Sequence, residues 1–360
     1  MISRREFIRR SMLASLALAG GKVLAACSAV EPQVPDPTAG PADATATVHP
    51  IADPPTATAE ATAAAEGAGA TATRVVVPTA TIAPPASAGA AYLAVAHGTA
   101  GGPAELARRA IAALGGIERF VTPGADVIVK PNICNAYHGP EFASTTNPEV
   151  VAAIVALCLS AGAKRVRVMD YPFGGTAQNA YRSSGIGQAV EDAGGQMELM
   201  NALKYERIEI AGAQALRKTE IYREILDADV VINVPIAKHH SQARLTLGLK
   251  NLMGTVKDRG KLHAAGLAPS IADLATVVRP ALTVIDATRI LMANGPTGGD
   301  LNDVKAMDTV IASADIVAAD AYAATLFGMT GADIPHVALA AQLGLGTLDL
   351  ASIKVEEFGI

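Results

Sequence analysis

The sequence predicts an α/β protein with a mostly parallel sheet covered by helices on both faces. Three observations carry that expectation. Apolar runs such as Asp126-Val-Ile-Val-Lys130 and Val230-Val-Ile-Asn-Val-Pro235 are short and unbroken, as strands buried on both faces are. Segments with helical punctuation separate them. The chain has 360 residues, 50% of them hydrophobic, which is ample for a domain-sized core. The globular part, expected over residues 89–360, has room for one large sheet or for two α/β lobes. Two lobes meeting near residues 215–225 are the preferred arrangement.

The elements follow in order. Ala91 to Ala96 reads as a strand. Pro103 to Leu114 reads as a helix with proline in its first turn and Gly115-Gly116 at its end. The run from Asp126 to Lys130 is too short for a helix and stops at Pro131. Asn147-Pro148 opens a helix as cap and first turn, and Gly162 closes it. A strand is expected from Arg165 to Asp170, a turn at Gly174-Gly175 and a helix from Gly187 to Ala193. Further strands are expected at Met197 to Asn201, Arg207 to Ile210, Val230 to Pro235, Ala281 to Asp286 and Thr309 to Ser313. Helices are expected at Ile271 to Val278, Ile316 to Leu326 and Pro335 to Leu343.

Upstream of the domain the chain reads as an address and a tether. Ser3-Arg4-Arg5-Glu6-Phe7-Ile8, the apolar run from Met12 to Ala19 and Leu24-Ala25-Ala26-Cys27 have the parts of an export signal. Arg4 and Arg5 resemble the twin-arginine signal, and the last four residues resemble a lipobox, which implies lipidation of Cys27. Residues 1–27 are therefore expected to be a signal, with the twin-arginine translocase and lipoprotein-processing enzymes as partners. The expected location is the outer face of the cytoplasmic membrane, the periplasm or the cell surface, held by two acyl chains. Residues 28–88 contain 19 Ala, 10 Thr and 10 Pro in 61 positions, with no aromatic residue. Such a stretch buries too little apolar surface to order itself, so a disordered tether is expected. Within it, Val75-Val76-Val77 reads first as a sticky spot of linker, with a short strand as the alternative.

Composition excludes several functions. Residues 89–360 carry 23 basic and 27 acidic side chains, which is not the basic excess of a nucleic-acid-binding face. Three cysteines in the whole chain are too few for a disulfide scaffold or for an iron–sulfur cluster on its own four thiolates. Cys158 sits in an apolar helix and reads as core, whereas Cys134 sits in a loop; a disulfide between them is the minority reading. There is no P-loop, no G-x-G-x-x-G after a strand, no G-x-S-x-G and no H-E-x-x-H.

Ligands of open α/β sheets bind beyond the C-terminal ends of strands. Those ends carry Lys130-Pro131-Asn132, Asp170, Asn233 with Lys238-His239-His240 downstream, and Asp286. The densest segment is Lys238 to His263, with six basic residues and three histidines against one acid, Asp258. Leucines interleave with those charges, so the segment packs on the core while presenting cations, and such cations suit an anionic ligand or a nucleotide-like cofactor. Lys250 is the expected essential group, because a lysine drawn out of water becomes a base or nucleophile. His239 and His240 are the expected acid–base partners. Lys130, Asn132, Lys238, Thr246 and Asn251 are expected to hold the ligand, with Thr246 and Lys250 on one face if the stretch is helical. His263 and Asp170 are candidate metal ligands. Gly295 to Asp300 reads as a turn, with a lid or an anion nest as the alternatives.

Lys238-His239, Thr246, Lys250-Asn251, Gly254 and His263 together resemble the central motif of the domain of unknown function family 362. Lys130-Pro131-Asn132, Asn147-Pro148, Asp170, Asp286, Asn294-Gly295-Pro296 and the stretch from Ala312 through Asp315 to Asp320 recur in the same order. The resemblance spans about residues 90–360 and brings no settled activity. Members are often joined to ferredoxin-type clusters, whose cysteines this chain lacks. His240, Lys250 and His263 are also similar in order to the His…Lys…His run of nickel-pincer lactate racemases. That likeness implies a lysine tethered to a nucleotide-derived cofactor and a histidine on the metal. The expected function is an exported, lipid-anchored enzyme or cofactor protein that binds a small anionic ligand, a metal or a nucleotide-derived cofactor at this site. A non-catalytic solute-binding lipoprotein is the alternative, and a structural envelope protein ranks last.

Overall fold

The structure, a computed structural model, describes residues 73–77 and 92–360. The expected signal with Arg4, Arg5 and Cys27, and the expected tether apart from residues 73–77, lie outside the described residues. All described residues belong to one compact unit, Ala68–Ile360.

A ten-stranded sheet organises that unit. Its strands are β2 (Leu93–His97), β3 (Asp126–Pro131), β4 (Arg165–Val168), β5 (Gln196–Met197), β8 (Val230–Val234), β9 (Ile236–His240), β10 (Arg244–Thr246), β11 (Leu282–Leu291), β12 (Val304–Ser313) and β13 (Val355–Gly359). The main path runs β13-β2-β12-β11-β8-β3-β4-β5, and β9, paired with β10, also pairs with β11. Neighbours are parallel from β11 through β5 and between β13 and β2. β12 runs antiparallel to both β2 and β11. A separate three-stranded sheet joins β1 (Arg74–Val76), β6 (Tyr205–Ile210) and β7 (Lys218–Tyr222).

Strand alternation explains why both faces are covered. Val127 and Val129 enter one core and Ile128 the other; Val284 and Ile285, and Val310 and Ile311, divide in the same way. On the first face pack α1 (Gly102–Ala113), α2 (Pro148–Ser160), α3 (Ala177–Ser183) and α4 (Ile186–Asp192). The opposite core takes α5 (Arg223–Asp227), α6 (Gly248–Asn251), α7 (Arg259–Ala265), α8 (Leu267–Ala275), α9 (Ile316–Thr325) and α10 (Pro335–Gln342). Asn147 caps α2 by accepting from the Glu149 amide, with Pro148 in the first turn.

Two expectations are corrected. The two lobes are one sheet: β8, which follows residues 215–225, pairs directly with β3, which precedes them. Val75 and Val76 belong to a strand, because β1 finds a parallel edge on β6, with Val76 opposite Ile210. Cys134 and Cys158 are both free and buried, as the majority reading of the sequence expects. Lys238-His239-His240 also lies on a strand, β9, which the charge of the segment hid from a reading based on apolar runs.

The sheet interior sets the stability. Ile128→Ala is expected to lower it by about 2–5 kcal/mol in urea unfolding, the range for emptying a buried aliphatic site. Val75→Ala, at a strand position 62% exposed, should change it by less than about 0.5 kcal/mol.

Candidate functional site

Strand ends, a hairpin and two short helices build a pocket of about 340 Å³. Asn132 and Cys134 come from the segment after β3, and Asp170 from the segment after β4. β9 brings Lys238 and His240, β10 brings Thr246, α6 brings Lys250 and Asn251, and α7 brings Arg259 and His263. Lys238 and Thr246 face each other across the β9–β10 register. Lys238 and His240 are two apart on one strand and so share a face.

The floor is a closed lattice of hydrogen bonds. Lys130 Nζ donates to Asp170 Oδ1 at 2.8 Å, to Asn251 Oδ1 at 3.1 Å and to the Pro131 carbonyl at 3.1 Å. The second oxygen of Asp170 accepts from the Ile133 amide at 2.6 Å. Asn251 Oδ1 also accepts from Asn132 Nδ2, and its own amide donates to Asn233 Oδ1. Lys238 Nζ donates to the carbonyls of Ser144 and Pro296 and to Asn132 Oδ1, at 2.6, 2.9 and 3.1 Å. An ammonium has three protons, so Lys130 and Lys238 are each fully committed. Burial pushes the Lys130 amine below its ordinary value, opposed by the Asp170 charge. Gly254 roofs this pair, and a Cβ there would overlap Asp170 Oδ1 and crowd Lys130 Nζ.

Above the floor the groups are uncommitted. Among the described residues, Lys250 Nζ has no hydrogen-bond or ion-pair partner. Thr246 is 3% exposed and its Oγ1 has no partner. Burial, reinforced by Lys238, Arg259 and Lys130, drives the Lys250 amine down to about 7. Asp320 holds the start of α6 by accepting from the Gly248 and Leu249 amides, at 2.6 and 2.9 Å, and so fixes where Lys250 begins. Burial in turn pushes the Asp320 carboxyl up to about 7.

The histidines part company. His240 Nδ1 accepts from the Gln242 and Ala243 amides, which puts the proton of the neutral ring on Nε2. Burial and the charges of Lys250 and Lys238 push its pKa down to about 3, so it is a neutral N–H donor rather than an acid–base group. His239 points to the other side of β9, where Nδ1 accepts from the Gly295 amide; it supports the loop before Pro296 and does not line the pocket. The expected acid–base role of His239 therefore has no geometric basis. His263 stands exposed at the rim of the pocket, and its pKa is lowered by burial, Lys250 and Arg259. Both oxygens of Asp170 are engaged, and among the described residues no three His, Cys, Asp or Glu side chains converge. The donor set thus does not fit a metal ion held by the protein alone.

Other residues were not among those expected here. Arg259 donates to the Tyr171 and Pro172 carbonyls and stacks 4.9 Å from the Tyr171 ring centroid. Cys134 lines the wall 3.3 Å from Lys238 Nζ. His336, on α10, is fully buried with both nitrogens unpartnered among the described residues. Burial and the Lys250 charge push its pKa down to about 3. Its remoteness in sequence left no signal for it. Asp286 serves the fold, accepting from the Asn147 and Thr288 amides.

Comparison with known proteins adds a family. The profile of the family described as Domain of unknown function (DUF362) matches residues 127–325. A protein of Synechocystis sp. named as thylakoid-associated is 31% identical over 246 residues, covering 64% of this chain and 72% of its own length. Among solved structures, the lactate racemase apoprotein of Thermoanaerobacterium thermosaccharolyticum is 15% identical with a TM-score of 0.37, covering 62% of this chain and 54% of its own. A structural-genomics target from Thermotoga maritima is 9% identical with a TM-score of 0.36, covering 62% and 59%. The chain thus spans little more than half the length of these two structures.

Committed and uncommitted lysines should respond oppositely to removal. Lys130→Met leaves Asp170 buried and unpaired and should cost about 3–5 kcal/mol. Lys250→Met should leave stability unchanged or raise it at pH 7. Because Lys250 is depressed from 10.5 to about 7, the folded chain binds fewer protons than the unfolded chain between those values, and its stability rises with pH across that window. Urea titrations at several pH values should show this rise diminished in Lys250→Met.

Proposed function

Because the chain belongs to the DUF362 family, whose description names no activity, we propose its function from the pocket: it binds a small anionic molecule and acts on it through the Lys250 amine. The observation that carries this reading is an unpartnered lysine sharing one cavity with an unpartnered buried hydroxyl, Thr246 Oγ1. Three cations, Lys238, Lys250 and Arg259, line that cavity against one carboxylate, Asp170, which Lys130 already neutralises. A carboxylate or phosphate supplies the missing acceptors, taking bonds from Lys250, Thr246 and the His240 Nε2–H. Below about pH 7 the amine is an ammonium and holds the anion; above it, the free amine is a nucleophile or base. A nucleotide-derived group is one member of this ligand class.

In the same proposal the protein works outside the cytoplasm. Arg4-Arg5 and Leu24-Ala-Ala-Cys27 support export and lipidation, and the thylakoid-associated relative supports a membrane setting. No helix of the described residues is long and apolar enough to cross a membrane. The long Ala/Thr/Pro-rich stretch gives the pocket reach from the anchor.

Pyridoxal 5′-phosphate, at once an anion and an aldehyde, tests the site when trapped with borohydride and mapped by mass spectrometry. Lys250 should be modified roughly fifty-fold faster than surface lysines at pH 7, with a midpoint near 7 and protection by inorganic phosphate. Labelling confined to surface lysines, with no protection, would overturn the proposal. A phosphate melting shift that survives in Lys250→Met would assign the pocket to solute binding without chemistry.

A further inference from the structure

We propose that Cys134 is a second reacting group of this pocket, a thiol that takes the acyl group of an anionic ester or thioester with Lys250 as its base. The inference rests on the anion-binding reading above and names the substrate class for that site. Asn135 Nδ2 donates to the sulfur at 3.0 Å, and the Lys238 ammonium, its protons spent on other acceptors, lies 3.3 Å from it. The thiol itself donates to the Ser144 carbonyl at 3.2 Å, so the side chain is held in place at the pocket wall. An independent feature of the same cavity points to a ligand: Thr246, 97% buried, presents a hydroxyl with no partner among the described residues. Cys158 provides the contrast within the chain, since its thiol lies in the helix core of α2 and burial pushes it up to about 12.

The groups present suffice for a balanced transfer. The Cys134 proton passes to the neutral Lys250 amine, and sulfur bonds to the acyl carbon. The Thr246 hydroxyl and the His240 Nε2–H are the donors available to the oxyanion. The bond to the leaving oxygen or sulfur breaks, and the Lys250 ammonium returns its proton to that atom. Water, deprotonated by the same amine, then releases the carboxylate and restores the thiol. The groups facing Lys250 during this cycle are the cations Lys130, Lys238 and Arg259, the Cys134 thiol and the imidazoles of His240, His263 and His336. Lys238 and Arg259 supply the counter-charge for the acyl donor's own anion.

The full chain is treated with 4-carboxyphenyl acetate and, separately, with neutral phenyl acetate, and acetylation is mapped by mass spectrometry. Acetyl-Cys134 should form about tenfold faster from the anionic ester, and Lys250→Arg, which keeps the charge but removes the base, should slow it about a hundredfold. Iodoacetate should alkylate Cys134 faster than iodoacetamide does, the reverse of the order for Cys158. No acetyl-Cys134, with alkylation no faster than at Cys158, would overturn the inference. If phosphate still protects Lys250 from pyridoxal phosphate in that case, the anion site stands and only the thiol chemistry falls.

Discussion

The pocket depends on one constraint: two lysines buried at the end of a sheet must have every proton accepted. A buried ammonium without partners is prohibitively costly, so Lys130 requires Asp170, and the asparagines between Lys130 and Lys238 exist to complete both coordination shells. The lattice draws on β3, β8, β9 and α6 together with the segments after β3 and β4. It therefore ties the positions of those elements to one another. Gly254 is part of the same constraint, because no side chain fits above the Lys130–Asp170 pair.

With the lattice closed, the remaining polar groups acquire meaning. Lys250, Thr246 and the His240 Nε2–H gain nothing from the fold where they stand, and Lys250 is disfavoured there as a cation. A fold that carries such groups in one cavity forgoes stability to keep them available, which is the usual mark of a binding or reacting site. The geometry also separates roles that composition merges. A histidine held at Nδ1 by two backbone amides is a donor, whereas its neighbour one residue earlier supports a loop.

Much of this was legible in the sequence, for identifiable reasons. The apolar runs of β3 and β8 betray strands buried on both faces, and their ends point to Lys130 and Asn233. The gathering of Lys238, His240, Thr246, Lys250 and His263 in one segment follows from a hairpin leading into α6 and α7, so sequence closeness became spatial closeness. What escaped notice is equally physical. Lys238-His239-His240 has no apolar alternation to reveal β9, and without the strand's period of two His239 is indistinguishable from His240. Nothing local distinguishes a lysine whose protons are spent from one whose protons are free; that depends on carbonyls at Ser144 and Pro296, 94 and 58 residues from Lys238 along the chain. β1 was hidden because its partner edge, β6, lies far downstream.

The central claim is that Lys250, alone among the pocket's lysines, is an uncommitted amine in a cationic cavity. Carbon-13 NMR of the lysine Cε positions, assigned by Lys250→Arg and followed from pH 5 to 11, measures this directly. The account predicts that Lys250 titrates near 7 and moves upward when inorganic phosphate is added. Titration of Lys250 together with the surface lysines, indifferent to phosphate, would contradict it.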